Sequence, residues 1–150
     1  MIDINCDMGE GMGNENELMP FIYSANIACG YHAGDADIMQ RVIRLCLQHG
    51  VHIGAHPSFF DRANFGRTAM KLPAPEIYSL ITMQLKIINA MVLDCGGKLH
   101  HVKPHGALYN MAAVDSELAK VIAQAVKNFD ASLIYYGLSG SVMITEANKL

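Results

Sequence analysis

The chain has 150 residues, 51% hydrophobic and 17% charged, with 11 Lys plus Arg against 14 Asp plus Glu for a net charge of −3. That apolar content excludes a disordered chain, which could not offset its ordering entropy. The acidic balance excludes nucleic acid as a partner, because phosphate-backbone binding needs clustered Lys and Arg. The length fits one domain with a substantial core.

The opening segment MIDINCDMGEG is acidic where a secretory signal would be basic and then apolar. No uninterrupted apolar stretch approaches membrane-spanning length, so a soluble, cytoplasmic protein without a membrane partner is expected. Cys6, Cys29, Cys46 and Cys95 form no CxxC pair, which predicts reduced, buried thiols. Ten Met and no Trp read as core filler.

In chain order, the first strand is predicted over Ile2 to Asp7, with Ile2, Ile4 and Cys6 on one face and Asp3, Asn5 and Asp7 on the other. A second covers Ser24 to Cys29. Helical spacing of Ile38, Met39, Val42, Ile43, Leu45 and Cys46 predicts a helix over Ala36 to His49, capped by Asp35 and closed by Gly50. The third strand, Val51 to His56, sets His52, Gly54 and His56 against Val51, Ile53 and Ala55. Pro73 and Pro75 open a helix from Glu76 to about Asp94, which Gly96 and Gly97 close. A fourth strand, His100 to His105, sets His101, Lys103 and His105 against Val102 and Pro104, although His100 interrupts the apolar side. A helix over Ser116 to Asn128, a strand over Leu133 to Gly137 and a helical run in SVMITEANKL complete the chain.

Strands alternating with helices indicate parallel βαβ units. An open doubly wound sheet buries both faces and needs nearly continuous apolar strands. Here one face of three strands is polar, which favours an α/β fold of the TIM-like β/α-barrel type with a hydrophilic interior. Asp7, His56, Lys103 and His105 fall toward strand ends, where such barrels place catalytic residues.

With the loop residue His32 and with Glu10 and Asp35, these side chains form a constellation that suits two chemistries. Imidazoles and carboxylates can hold a divalent metal such as zinc, Asp7, His32, His56 and His105 being the candidate ligands. The same groups without metal suit acid/base work, with His56 or His105 titrating near neutrality. Lys103 would stabilise negative charge, or simply pair with Asp7 inside the barrel. Arg67, in NFGR, is a clamp for an oxyanion or phosphate, or a solvated loop charge. Glycines around the site, including Gly9, Gly11, Gly13, Gly30, Gly34 and Gly106, allow loops to cradle an anion, but GEGMG has neither the GxGxxG nor the GK[ST] pattern. Tyr109 joins Tyr31, Phe59, Phe60 and Phe65 as a wall of a pocket or as loop packing. His49 favours its helix dipole, and His52 is expected to hydrogen-bond within the barrel.

The segments IDINCDMGEGMG, SANIACGYHAGD, VHIGAHPSFFDRANFGR and HVKPHGALYN, in this order, resemble the LamB/YcsF family, whose members are also described as one of the subunits of 5-oxoprolinase. The resemblance covers essentially the whole chain and is less distinctive after Asn110. It implies an irregular β/α barrel related to the polysaccharide deacetylases. It also implies an ATP-dependent opening of 5-oxoproline to glutamate in concert with two other subunits, ATP being a cosubstrate. On this basis Asp7 and His56 are assigned to water or proton handling, His32 and His105 to proton transfer or metal coordination, and Lys103 with Arg67 to phosphate or oxyanion charge. Glu10, Asn26, Asp35 and Tyr109 are the further candidates for substrate or phosphate binding. A metal-dependent amidase or deacetylase, and a noncatalytic substrate-binding subunit, are the rival readings.

About five β/α units are visible, whereas such barrels usually need around 250 residues to close. The chain is therefore expected to form an incomplete barrel, roughly the first three fifths. Its last strand would offer an unpaired edge that favours homo-oligomerisation or aggregation.

Overall fold

The computed structural model describes residues 2–150. Five parallel strands lie in sequence order: β1 (Asn5–Met8), β2 (Ser24–Ala28), β3 (His52–His56), β4 (Leu99–Val102) and β5 (Ile134–Tyr135). The helices are α1 (Glu15–Leu18), α2 (Ala36–His49), α3 (Ala74–Asp94), α4 (Gly106–Ala112), α5 (Ser116–Phe129) and α6 (Val142–Ala147). Short 3-10 turns cover Met19–Phe21 and Arg62–Asn64. Each crossover carries a helix to the outer face, and the core lies between sheet and helices, around Ile27, Ile53, Ile81, Leu85, Val102 and Ile122.

The sheet is open, with β1 and β5 as its edges, but strongly curled. Lys103, just after β4, bonds Asp7 of β1, and the Tyr136 hydroxyl, just after β5, donates to Asp3 ahead of β1. β1 is a sheet neighbour of neither β4 nor β5, so these side chains meet only across a concave face. This is a partial TIM-like barrel, as its sequence pattern predicts.

Local chemistry sets the element ends. Asp35 caps α2 by accepting from the Ile38 amide, and Gly50 closes it at φ 66°. Asp115 caps α5 through the Glu117 and Leu118 amides. Helix α3 starts two residues before the expected Glu76, at Ala74, with Pro73 as its cap residue. By length and composition α3 could cross a membrane, contrary to the expectation that no stretch comes near this. Its buried residues, Ile77, Ile81, Gln84, Leu85, Ile88 and Val92, nevertheless recur at helical spacing, the signature of a helix packed on a core.

Strands β2, β3 and β5 are shorter than expected by one, one and three residues, and β1 and β4 differ for physical reasons. Strand β1 begins at Asn5, not Ile2, because on this edge strand Ile2 and Ile4 remain 87% and 59% exposed rather than facing a core. Strand β4 begins at Leu99, and its register against β3 skips a residue: Ile53 pairs with Leu99 and Gly54 with His101. His100 is thus the extra residue of a β-bulge, which explains why it breaks the alternation. Beyond Val102 the Lys103 and His105 amides still reach the Ala55 and Pro57 carbonyls, but Pro104 between them has no N–H and the regular ladder ends. Helices α1 and α4 lie where no helix was expected. All four thiols are free; Cys29 and Cys46 are buried as expected, whereas Cys6 and Cys95 are only half-buried.

Candidate active site

One rung of the sheet carries the polar face. Asp7, Asn26, Gly54 and His101 are successive register partners across β1 to β4. His56, at the end of β3, stands one step nearer the loops, and the segment after β4 brings in Lys103 and His105. The loop after β1 delivers Glu10, and the loop after β2 delivers His32.

Four of these groups converge. One ligand-type atom each from Glu10, His32, His56 and His105 lies within 4.8 Å of all the others. Glu10 Oε1 is 2.8 Å from His32 Nε2, 3.5 Å from His105 Nδ1 and 3.8 Å from His56 Nε2. His56 Nε2 and His105 Nδ1 are 3.0 Å apart, and the His32 and His105 rings stack at 3.7 Å. All three imidazoles are buried.

The outward nitrogens settle the protons. His56 Nδ1 lies 2.6 Å from the Lys103 carbonyl and His105 Nε2 lies 2.8 Å from the Phe65 carbonyl; carbonyls only accept, so both nitrogens carry hydrogen. His32 Nδ1 lies 2.9 Å from Ser58 Oγ, whose own hydroxyl donates to the Phe59 carbonyl, so this nitrogen is also the donor. In the neutral rings the three inner nitrogens therefore present lone pairs to one another and to the Glu10 carboxylate. Burial pushes the His105 pKa down to about 4, with the charges of His32 and His56 adding to the shift against the Phe65 hydrogen bond. Burial also lowers His32, against the hydrogen bond that its protonated ring would donate to Glu10. Lone pairs facing at 3.0 Å repel unless a proton or a cation lies between them. Three imidazoles and one carboxylate, with their outer nitrogens hydrogen-bonded, are the donor set and support a divalent metal requires.

Asp7 stands beside this group instead of within it. Its Oδ2 is 3.3 Å from His56 Nε2, while Oδ1 accepts from Lys103 Nζ at 2.9 Å and from Asn26 Nδ2 at 2.8 Å. Burial alone would raise its pKa, but the hydrogen bond and charge that a protonated His56 supplies, with those of Lys103, outweigh that and hold it far below the usual carboxylate range. Glu10 is thus the carboxylate of the converging quartet, with Asp7, the carboxylate expected from sequence, 3.3 Å from His56 beside it. An open cleft of about 520 Å³ adjoins the cluster, lined by Asp7, His56, Arg67, Lys103, His105 and Tyr109 among others. Arg67 lies over the Phe65 ring at 5.3 Å, with its charge at the cleft. The Tyr109 phenol is raised by burial and by the Asp7 charge.

Two expected binding residues belong to neither the cluster nor the cleft lining. Asn26 is fully buried, with its amide nitrogen bonded to Asn5 and Asp7 and its oxygen accepting from His101, so it touches the site through Asp7. Asp35 uses its carboxylate on the α2 cap and is absent from the cleft lining. His52 stacks on His100 at 4.1 Å, where a hydrogen bond was expected.

The supporting roles of several residues escaped sequence reasoning. Gln84 of α3 donates to the Ser58 carbonyl and accepts from the Ser58 amide, fixing the segment that holds His32. A lone Gln in an apolar stripe was the available signal. Arg62 donates to the Gly30 and Gly34 carbonyls, tying the loop after β3 to the His32 loop. Phe65, left-handed at φ 55°, presents the carbonyl that His105 needs.

Fold and site together define a chain of β/α units that gathers a histidine and carboxylate centre at the C-terminal ends of its parallel strands, the catalytic end of barrels of this kind. The match to the LamB/YcsF family runs over residues 2–150, and the chain belongs to that family. A similar solved structure is the crystal structure of a lactam utilization protein from Thermus thermophilus, 43% identical, with a TM-score of 0.96. The alignment covers 99% of this chain and 62% of that one, so the chain spans under two thirds of the Thermus protein's length.

Proposed function

We propose that this chain contributes the lactam-handling site of an ATP-dependent 5-oxoprolinase, acting with two further subunits to convert 5-oxoproline to L-glutamate. The observation that carries the reading is the placement of Asp7 and Lys103 against the Glu10–His32–His56–His105 cluster at the mouth of the cleft. Family membership and the likeness to a lactam utilization protein support the substrate class.

An unstrained lactam resists water, so the carbonyl needs activation. Transfer of the ATP γ-phosphoryl group to the lactam oxygen supplies it, with ADP leaving. Water then adds to the ring carbon, the carbon–nitrogen bond breaks, the nitrogen takes up a proton, and hydrolysis releases phosphate and glutamate. Asp7 stays ionised and offers Oδ2 to orient the water, with His56 3.3 Å away as the partner in handling its proton. Lys103 and Arg67 place positive charge where phosphate or oxyanion charge develops. Neutral His105 and His32 complete the donor set; a divalent cation held by these residues with His56 and Glu10 would supply Lewis-acid charge and lower the pKa of water.

The experiment is reconstitution with the partner subunits, ATP and 5-oxoproline. Glutamate formed in step with ADP supports the reading, and absence of both contradicts it. The histidine cluster favours a second reading, a metal-dependent amidase or deacetylase. That reading predicts chelator-sensitive hydrolysis of an acetamide by the chain without ATP.

A further inference from the structure

Deeper in the concave face lies a group of side chains that the proposed reaction does not use. His101 is fully buried and stacks on Tyr136 with ring centroids 4.3 Å apart. Its Nε2 is 2.8 Å from Asn26 Oδ1 and its Nδ1 is 3.1 Å from His100 Nδ1. An amide oxygen only accepts, so Nε2 carries the hydrogen and the neutral ring takes a second hydrogen bond from His100. Burial and the neighbouring His100 push the His101 pKa down to about 3, which keeps the ring neutral.

His101 reaches Asn26 across the intervening strand, and the residue between them in the rung is Gly54. A Cβ on Gly54 would fall 2.0 Å from His101 Nε2, so only glycine leaves room for the ring. With its oxygen held by His101, the Asn26 amide has one orientation: Nδ2 faces Asn5 Oδ1 and Asp7 Oδ1, each at 2.8 Å. Flipping it would set an amide oxygen against the Asp7 carboxylate. Asn26 and Lys103 together occupy Asp7 Oδ1 and leave Oδ2 toward His56.

We propose that His101 is a positioning residue: its hydrogen bond over Gly54 fixes the Asn26 amide, and the amide aims Asp7 Oδ2 at the histidine cluster. The proposal rests on the reading of Asp7 as the group that handles the attacking water. His101→Phe removes the donor, and His101→Gln keeps an N–H able to reach Asn26. Two readouts apply: hydrogen exchange of the Asn26 side-chain amide in the full chain, and steady-state kinetics in the reconstituted complex. In H101F the amide should lose its protection, and kcat should fall about 10- to 100-fold, the usual effect of losing a group that orients a catalytic centre, while KM for 5-oxoproline holds. H101Q should restore most of both. An Asn26 amide equally protected in H101F, or a kcat loss that H101Q leaves unrepaired, would overturn the proposal. If H101F does not fold, His101→Asn, too short to reach Asn26, replaces it. Should the wild-type complex open no lactam, the proposed reaction fails, and amide exchange still decides whether His101 holds Asn26.

Discussion

His32, His56 and His105 each use one ring nitrogen on a partner outside the cluster and turn the other inward. The partners are Ser58 Oγ and two main-chain carbonyls, Lys103 and Phe65. Only Ser58 can be deleted by substitution without touching a histidine of the cluster. On the proposed reading of the cluster as a divalent-metal site, Ser58→Ala is expected to weaken zinc binding about 10-fold or more, read by competition with a chromophoric chelator; unchanged affinity would show that the hydroxyl does not orient His32. Among the described residues lining the cleft, Arg67 is the cation without a carboxylate partner, in contrast to Lys103, which is paired with Asp7. Arg67→Ala should therefore raise KM for 5-oxoproline about 10-fold, the loss of one charge-assisted hydrogen bond, with a smaller change in kcat. Initial-rate kinetics of the reconstituted complex separate the two effects.

At the scale of elements, the site depends on how three loops are tied together. Gln84 reaches from α3 to both main-chain groups of Ser58, and no other buried polar residue of α3 does this. Gln84→Leu keeps the volume but strands a buried amide and carbonyl, at an expected cost of about 1–3 kcal/mol for each group left unsatisfied; urea denaturation measures it. Gly66 shows the same tightness from the other side. It has φ 67°, and a Cβ there would lie 2.9 Å from both His105 Cδ2 and His32 Cβ. Alternation in the sequence revealed which residues of β1, β3 and β4 share the polar face. It could not reveal the bulge at His100, because a skipped partner depends on where the neighbouring strand lies. Nor could it show that Asn26 is consumed by its neighbours. Spacing made Asp7 the candidate carboxylate of the histidine cluster, and could not show that the loop after β1 also turns Glu10 inward against the three imidazoles.

On the scale of the whole molecule, the five parallel strands and the three long helices were legible because period and caps are local, as at Asp35 and Asp115. The curl that brings Lys103 to Asp7 is a long-range property, and only the polarity of one face hinted at it. Burying neutral histidines in that concave face couples folding to pH. His101 titrates near 3 when folded and near 6.5 when unfolded, so between those values the unfolded chain binds the extra proton. The contribution is complete above about pH 6.5 and is lost as pH falls, by about 2 kcal/mol between pH 7 and 5 for this one residue. The lowered pKa values of His32 and His105 act in the same direction. Urea midpoints at the two pH values should show the loss, and H101Q should reduce it.

The central claim is that Asp7, His56 and Lys103 form the working centre of a lactam-opening site. Its most direct test is ATP-coupled glutamate formation from 5-oxoproline by complexes carrying Asp7→Asn, His56→Ala or Lys103→Ala, each checked for native circular dichroism. The account predicts that every one of the three loses turnover while remaining folded; full activity in all three would contradict it.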